Sequence, residues 1–359
     1  MVSVHAENRP AGVLSGRFRS LPVTLSRTWR AQSQSGCSDN DCSWSRVALV
    51  LPAVVTLRYA HMSASDSVAG MQAEFFARRV AELSEGRLAV EVFPASFIGD
   101  TAEQLAMARD GTIDIHHTTA GALASLVEGF TVLDAPYRVS DPERLSRIVD
   151  LDSPLMRRLD GELRHETGLR VLYTFYFGTR HLSFDAPVLS PVDLRGAPIR
   201  ANPYPVYELA VAILGGVPTP VDWNRIQAAL ATGAARGQEN PIETIYSSDL
   251  YRWQSHLMLT GHIVGAEIVV MNERSWALLP RRDREALAEA ATEAGRWASG
   301  ETLTMEAAKL ETLRSLGMRV VGEADGLRTD LFKARAERFL AAEYGERLAP
   351  YFALMDETP

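Results

Sequence analysis

Cysteine is nearly missing from this 359-residue chain: Cys37 and Cys42 are the only two, and both lie in the N-terminal stretch. Their C-x4-C spacing has no second pair to complete four ligands, which excludes a structural zinc site. The cysteine-free body cannot carry a disulfide framework, which suits an exported protein that folds without one. Long apolar runs are absent too. No stretch of eighteen apolar residues occurs, so no conventional transmembrane helix is predicted. Excess positive charge is likewise lacking, since the net charge is −8. Phosphate neutralisation needs clustered Lys and Arg, so a nucleic-acid binder is excluded, as is a surface made for anionic lipid. An anionic small molecule stays admissible, because one or two buried arginines can hold it locally.

Catalytic signatures are also missing. There is no phosphate-cradling G-x-x-x-x-G-K-[ST], no G-x-G-x-x-G after a strand, no G-x-S-x-G elbow and no H-E-x-x-H. His116 and His117 are adjacent on a predicted strand, so their rings point to opposite faces and cannot share a metal. One is expected to pack and the other to line a cleft. No metal and no cofactor is predicted.

What is present is an ordinary globular composition, 46% hydrophobic and 23% charged, over a length that suggests two domains. An apolar segment at 47–55, preceded by Arg46, resembles the apolar region of a signal peptide. It stands far from the first residue, so residues 1–56 are read as a disordered leader or atypical signal region. From Leu57 the pattern turns regular. A short strand at 57–60 precedes the helical stripe of Val68–Leu83, with Met71, Phe75, Phe76, Val80 and Leu83 on one face. Leu88, Val90 and Val92 alternate as a strand does. A helix at 101–109 ends at Asp110-Gly111, and residues 113–115 give a further strand.

Strand–helix alternation predicts a parallel sheet with crossover helices. The alternation resumes after a helical stretch at 142–159, with strands at 170–176, 197–200, 217–219 and 235–238. Helices are expected near 204–214 and 222–231. An apolar strand at 266–271 precedes an unusually long helix, 281–316, with Gly295 and Gly300 as possible bends. A shorter helix is expected near 327–343.

Four segments place polar or cationic groups at predicted strand ends, where ligands bind in open α/β sheets. They are Tyr176-Phe177-Gly178-Thr179-Arg180, Pro198-Ile199-Arg200-Ala201-Asn202-Pro203, Pro218-Thr219-Pro220-Val221-Asp222-Trp223 and Gly237-Gln238-Glu239-Asn240-Pro241. In this order and spacing, over residues 57–325, they resemble the solute-binding proteins of tripartite ATP-independent periplasmic (TRAP) transporters. Phe93-Pro94-Ala95-Ser96-Phe97-Ile98-Gly99-Asp100, Arg109-Asp110-Gly111-Thr112-Ile113-Asp114 and Asp193-Leu194-Arg195-Gly196 add to the resemblance.

The resemblance implies an α/β, periplasmic-binding-protein-like fold with two α/β lobes, a hinge and a long lobe-spanning helix. Lobe I would comprise 57–176 plus 266–304, and lobe II 177–265 plus 305–359. It implies a periplasmic receptor for a small organic acid that delivers its ligand to the small and large integral membrane subunits of the transporter. The receptor is expected to be monomeric. Arg200 falls at the family's carboxylate-binding arginine, and its planar fork suits two parallel bonds to a carboxylate. Arg180 matches a second cleft arginine, which either contacts ligand or braces the hinge. Asn240 can donate and accept. Trp223 would wall the pocket, and Phe177, Asn202 and Glu239 accompany these anchors. On the facing lobe His61, Thr118, Thr119 and Tyr137 could recognise the far end of the ligand. The chain departs from the family pattern at Asn224-Arg225-Ile226 and Ala235-Arg236-Gly237, which leaves the ligand's identity open. The aromatics Tyr176, Phe177, Tyr204 and Trp223 hint at an aromatic acid. A stand-alone sensor of the same fold, or a lyase or isomerase using Glu239, are the competing readings.

Overall fold

The computed structural model describes residues 54–358. The 47–55 segment, but for its last two residues, and nearly all of the expected leader therefore lie outside the described residues. The first half alternates β1 (Val55–Ala60), α1 (Val68–Leu83), β2 (Leu88–Phe93), α2 (Thr101–Asp110) and β3 (Ile115–Thr119). Three helices follow: α3 (Ala120–Leu123), α4 (Pro142–Ile148) and α5 (Pro154–Thr167). Next come β4 (Leu169–Phe184), β5 (Pro198–Ala201), α6 (Pro205–Leu214) and β6 (Val217–Pro220). The chain continues through α7 (Ile226–Ala231), β7 (Gly237–Pro241), α8 (Ile242–Ser247), β8 (His256–Asn272) and α9 (Glu273–Leu278). It closes with α10 (Arg281–Ser315), β9 (Arg319–Val321), α11 (Thr329–Tyr344) and α12 (Ala349–Asp356).

Local chemistry fixes many of these boundaries. Ser67 accepts from the Gly70 amide to start α1, and Asp100 with Glu103 forms a reciprocal capping box on α2. Gly111, at φ 85°, ends α2 in the left-handed region that glycine adopts without strain. Buried Val68, Phe76 and Val80 on α1 recur at helical spacing and face the sheet.

All strands join one sheet, in the order β2-β1-β3-β8-β4-β7-β5-β6, with β9 beside β8. Pairings at both ends are parallel, as alternation predicts: β1 with β2 and β3, β5 with β6 and β7. The middle differs from the sequence expectation. β4 and β8 are long and antiparallel to each other and to their neighbours β7 and β3. Gly178 faces Gly265 part-way along them. The register shifts between Tyr176 and Gly178, and Gly178 takes φ 127°. Glycine is required there, since a Cβ would sit 2.7 Å from the Pro241 Cβ.

Each lobe carries apolar clusters on its sheet. In the first, Phe76, Phe175 and Val269 pack under α1 and α10, and Phe130, Leu159 and Ile268 pack elsewhere. In the second, Leu182, Ile199 and Phe332 form one cluster, and Ile226, Ile245 and Leu313 another. The C-terminal segment is shared between them. Phe332 of α11 packs with the second lobe, whereas Leu340, Tyr344 and Met355 pack with Phe130 and Leu159 of the first. Assigning all of 305–359 to lobe II therefore fails at its last part. The long helix is continuous through Gly295 and Gly300. Gly295 serves close packing rather than bending, since a Cβ would meet the Thr174 carbonyl oxygen at 2.6 Å.

Candidate functional site

A cleft lined by residues of both lobes holds about 640 Å³ of non-atom space, open solvent included. Of the residues singled out from the sequence, Phe177, Arg180, Arg200, Asn202, Trp223 and Asn240 line it on one side and Thr119 on the other. Thr118 and His117 line it as well, whereas Tyr137 does not and instead donates its hydroxyl to the Thr260 carbonyl.

Arg200 sits on β5, one residue from its end, in parallel register with Thr219 and Gln238. Its side chain is 1% exposed. Nε donates to the Val221 carbonyl at 2.8 Å, which fixes the guanidinium, but Nη2 is buried without a partner among the described residues. No carboxylate lies within ion-pair range of it there. Burial lowers its pKa to about 10, so it remains a cation at neutral pH. The Trp223 ring centroid stands 6.0 Å from the guanidinium carbon.

Arg180 is placed differently. Its Nε and Nη2 donate to the two carboxylate oxygens of Glu239 at 2.6 and 2.8 Å, and Nη2 also reaches the Glu239 carbonyl. The guanidinium carbon lies 5.0 Å from the Tyr207 ring centroid, and the Tyr207 hydroxyl donates to Asp134. Burial acts to lower the Arg180 pKa, but Glu239 outweighs it and the net direction is up. Burial likewise pushes the Glu239 carboxyl up, yet Arg180 and His262 hold it down at about 2. An ionised carboxylate only accepts, so His262 donates to it through Nε2 and takes the Thr260 hydroxyl proton on Nδ1. Arg180 is thus a neutralised brace at the cleft wall.

Two expected site residues lie behind that wall. Glu239 is fully buried, because β7 alternates: Gln238 and Asn240 share one face, and the Asn240 amide donates to the Gln238 Oε1, while Glu239 faces Arg180. His61 is also fully buried, stacked on the His117 ring at 4.6 Å, and burial lowers its pKa to about 3. The strand period puts Tyr59 and His61 on the α1 side of the sheet, leaving Met62, Ser63 and Ala64 to line the cleft. The two adjacent histidines do point apart. His116 bonds the Ala60 carbonyl, and His117 accepts from Gln72 on Nδ1 and reaches Ser63 through Nε2.

Sequence reasoning passed over two acids that line the cleft, Glu243 on α8 and Glu267 on β8. Glu267 had a signal, a lone carboxyl within the apolar run 266–271, where an unpaired acid is costly. Tyr176 and Tyr204 stay outside the lining, so of the four aromatics only Phe177 and Trp223 can touch a ligand there.

Two α/β lobes on a shared sheet, facing each other across a fixed guanidinium with no ion-pair partner among the described residues, have the layout of a ligand-binding protein. The chain belongs to the bacterial extracellular solute-binding protein family 7, whose profile matches residues 59–338. That family consists of substrate-binding proteins, not enzymes. The chain is 29% identical over 279 residues to a solute-binding protein of Verminephrobacter eiseniae, covering 77% of this chain and 82% of the relative. It is 28% identical over 269 residues to the sialic acid-binding periplasmic protein SiaP of Vibrio cholerae, covering 75% and 83%. Among solved structures, a TRAP periplasmic solute-binding protein of Roseobacter denitrificans with bound L-galactonate superposes with TM-score 0.79 at 25% identity, covering 85% of this chain and 100% of that one. A TRAP protein from a Polaromonas species bound to D-erythronate superposes equally, at TM-score 0.79 and 26% identity, covering 85% and 99%.

Proposed function

We propose that this chain is the periplasmic receptor of a TRAP transporter, that it captures a small organic acid between its lobes, and that Arg200 grips the carboxylate. One observation carries the reading: Arg200 is a buried cation held by a single backbone bond, with donor capacity to spare and no ion-pair partner among the described residues. A buried charge without a counter-charge is costly, and a ligand carboxylate relieves that cost when the lobes shut on it. Arg180, already neutralised, would hold the wall in place. Asn240 and Trp223 would orient the acid, and Asn202, Phe177 and Thr119 would fill the remaining contacts. Similarity to proteins solved with L-galactonate and D-erythronate supports an acid as ligand.

The lobes would hinge where β4 and β8 cross at Gly178 and Gly265, close to the expected boundaries after residues 176 and 265. The closed form would then be read by the two membrane subunits. A melting-temperature screen of the purified protein against aliphatic, sugar and aromatic acids tests the reading. A shift is expected for at least one acid, and Arg200→Ala is expected to abolish it. Undiminished binding by that variant removes Arg200 as the anchor.

A further inference from the structure

Each wall of the cleft carries one buried ionisable side chain of opposite type, Arg200 and Glu267, with a polar atom that has no partner among the described residues. On the wall from the first lobe the lining residues are Met62, Ser63, Ala64, Ser67, Thr101, His117, Thr118, Thr119 and Glu267. Glu267 is the one acid or permanent cation in that set. It stands in register between Thr119 of β3 and Phe175 of β4, on the face of the sheet that α1 and α10 cover, and of the three Thr119 and Glu267 reach the cleft lining. The side chain is 5% exposed, and its Oε2 has no hydrogen-bond partner among the described residues. No cation there lies within ion-pair distance. The nearest in electrostatic effect is Arg180, which Glu239 already engages.

The neighbouring imidazole does not supply a charge either. His117 accepts from Gln72, and burial lowers its pKa well below the ordinary value, so it is neutral. On the opposite wall Arg200 is the unpaired cation, whereas the acid there, Glu243, accepts from the Ser247 hydroxyl. Hydroxyls and amides already abound in the lining, in Ser63, Ser67, Thr118, Thr119 and Asn240. A further neutral contact needs no carboxyl. Glu differs from Gln chiefly in its ability to hold a full negative charge, which only a positive centre rewards in a dry site.

We infer that the ligand is a zwitterionic acid, its carboxylate on Arg200 and a cationic nitrogen on Glu267. This rests on the carboxylate-anchor reading and narrows it from small acids in general to amino or quaternary-ammonium acids. Ionisation of Glu267 is coupled to arrival of the cation. In the empty cleft burial pushes its pKa up to about 8, and a ligand ammonium within a few ångströms pulls it back.

Calorimetric titration with matched pairs tests this: 4-aminobutyrate against 4-hydroxybutyrate, 5-aminovalerate against 5-hydroxyvalerate, with proline, glycine betaine, D-erythronate and L-galactonate added. The amino member of a pair is expected to bind about tenfold or more tighter than its hydroxy partner, by the penalty for leaving a buried polar group unmatched. Glu267→Gln is expected to erase that preference, since an amide can hydrogen-bond but cannot hold a negative charge opposite the ammonium. Hydroxy acids binding more tightly than every zwitterion, or no zwitterion binding at all, overturns the inference. So does a preference that survives in Glu267→Gln. The wild-type comparison decides even if the variant does not fold. Arg200→Ala separates the two claims: loss of all acids together with a hydroxy preference in the wild type leaves the anchor standing and sinks only the zwitterion.

Discussion

At the level of single residues, two arginines of like sequence context have opposite jobs because their partners differ. Arg200 has charge to give and Arg180 does not. Replacing Arg200 by Lys keeps the cation but removes the planar fork, so binding of the preferred acid should weaken about 10- to 100-fold, the worth of a charge-assisted bond. Calorimetry of the folded variant measures it. Glu239→Gln leaves the buried Arg180 charge unmatched and should destabilise the protein by about 3–5 kcal/mol, read from urea unfolding. The pH dependence follows from the depressed carboxyl. Its folded pKa of about 2 lies below the ordinary 4.5, so its contribution is full above 4.5 and fades as pH falls toward 2. Glu267 works in the other direction. With a folded pKa of about 8 against an ordinary 4.5, the native state holds the extra proton, and stability falls as pH rises through that window. Glu267→Gln should therefore melt higher than the wild type without ligand, with a gap that widens from pH 5 to pH 8. A functional acid that costs stability is what a binding site would retain.

Among the elements, α10 and β4 are locked where the lobes meet. Gly295 lets the helix approach the Thr174 carbonyl, and Ser299 accepts from the Tyr176 amide while donating to the Gly295 carbonyl. About two turns further, the Glu306 carboxylate accepts from the Tyr176 hydroxyl and the Thr179 amide, on either side of Gly178. The helix thus holds the long strand just before and just after its crossing point. Gly295→Val puts two methyls into a backbone carbonyl and should cost about 1–3 kcal/mol in urea unfolding, by overpacking. The loss should leave acid affinity near that of the wild type, since Gly295 is absent from the cleft lining.

For the whole molecule, a shared sheet joins the lobes through only two long strands, with α10 and the C-terminal helices laid across both. Such a connection allows bending at one place while each lobe keeps its own core. Small-angle scattering should show a smaller radius of gyration when a bound acid is present. The Arg200→Ala variant should show no such change. Closure needs contacts better made shut than open, and the proposed bond from Arg200 to the acid would be one of them.

Most of the element order was legible in the chain because it rests on local patterns: the stripe of α1, the alternation of β2, the Asp110-Gly111 stop and the length of α10. So were the cleft-lining Arg200, Asn240 and Trp223, which fall at or near the ends of elements in segments of recognisable spacing. The first half of β8 was not, because Gly261, Gly265, His256 and His262 interrupt its apolar run, and only pairing with β4 and, at its start, β9 makes it a strand. Nor could local pattern say that Glu239 faces inward, that His61 stacks behind the wall, or that Glu267 lacks a counter-charge. Those are facts about what comes to lie opposite a side chain, and partners far apart in sequence are assigned only when the chain folds.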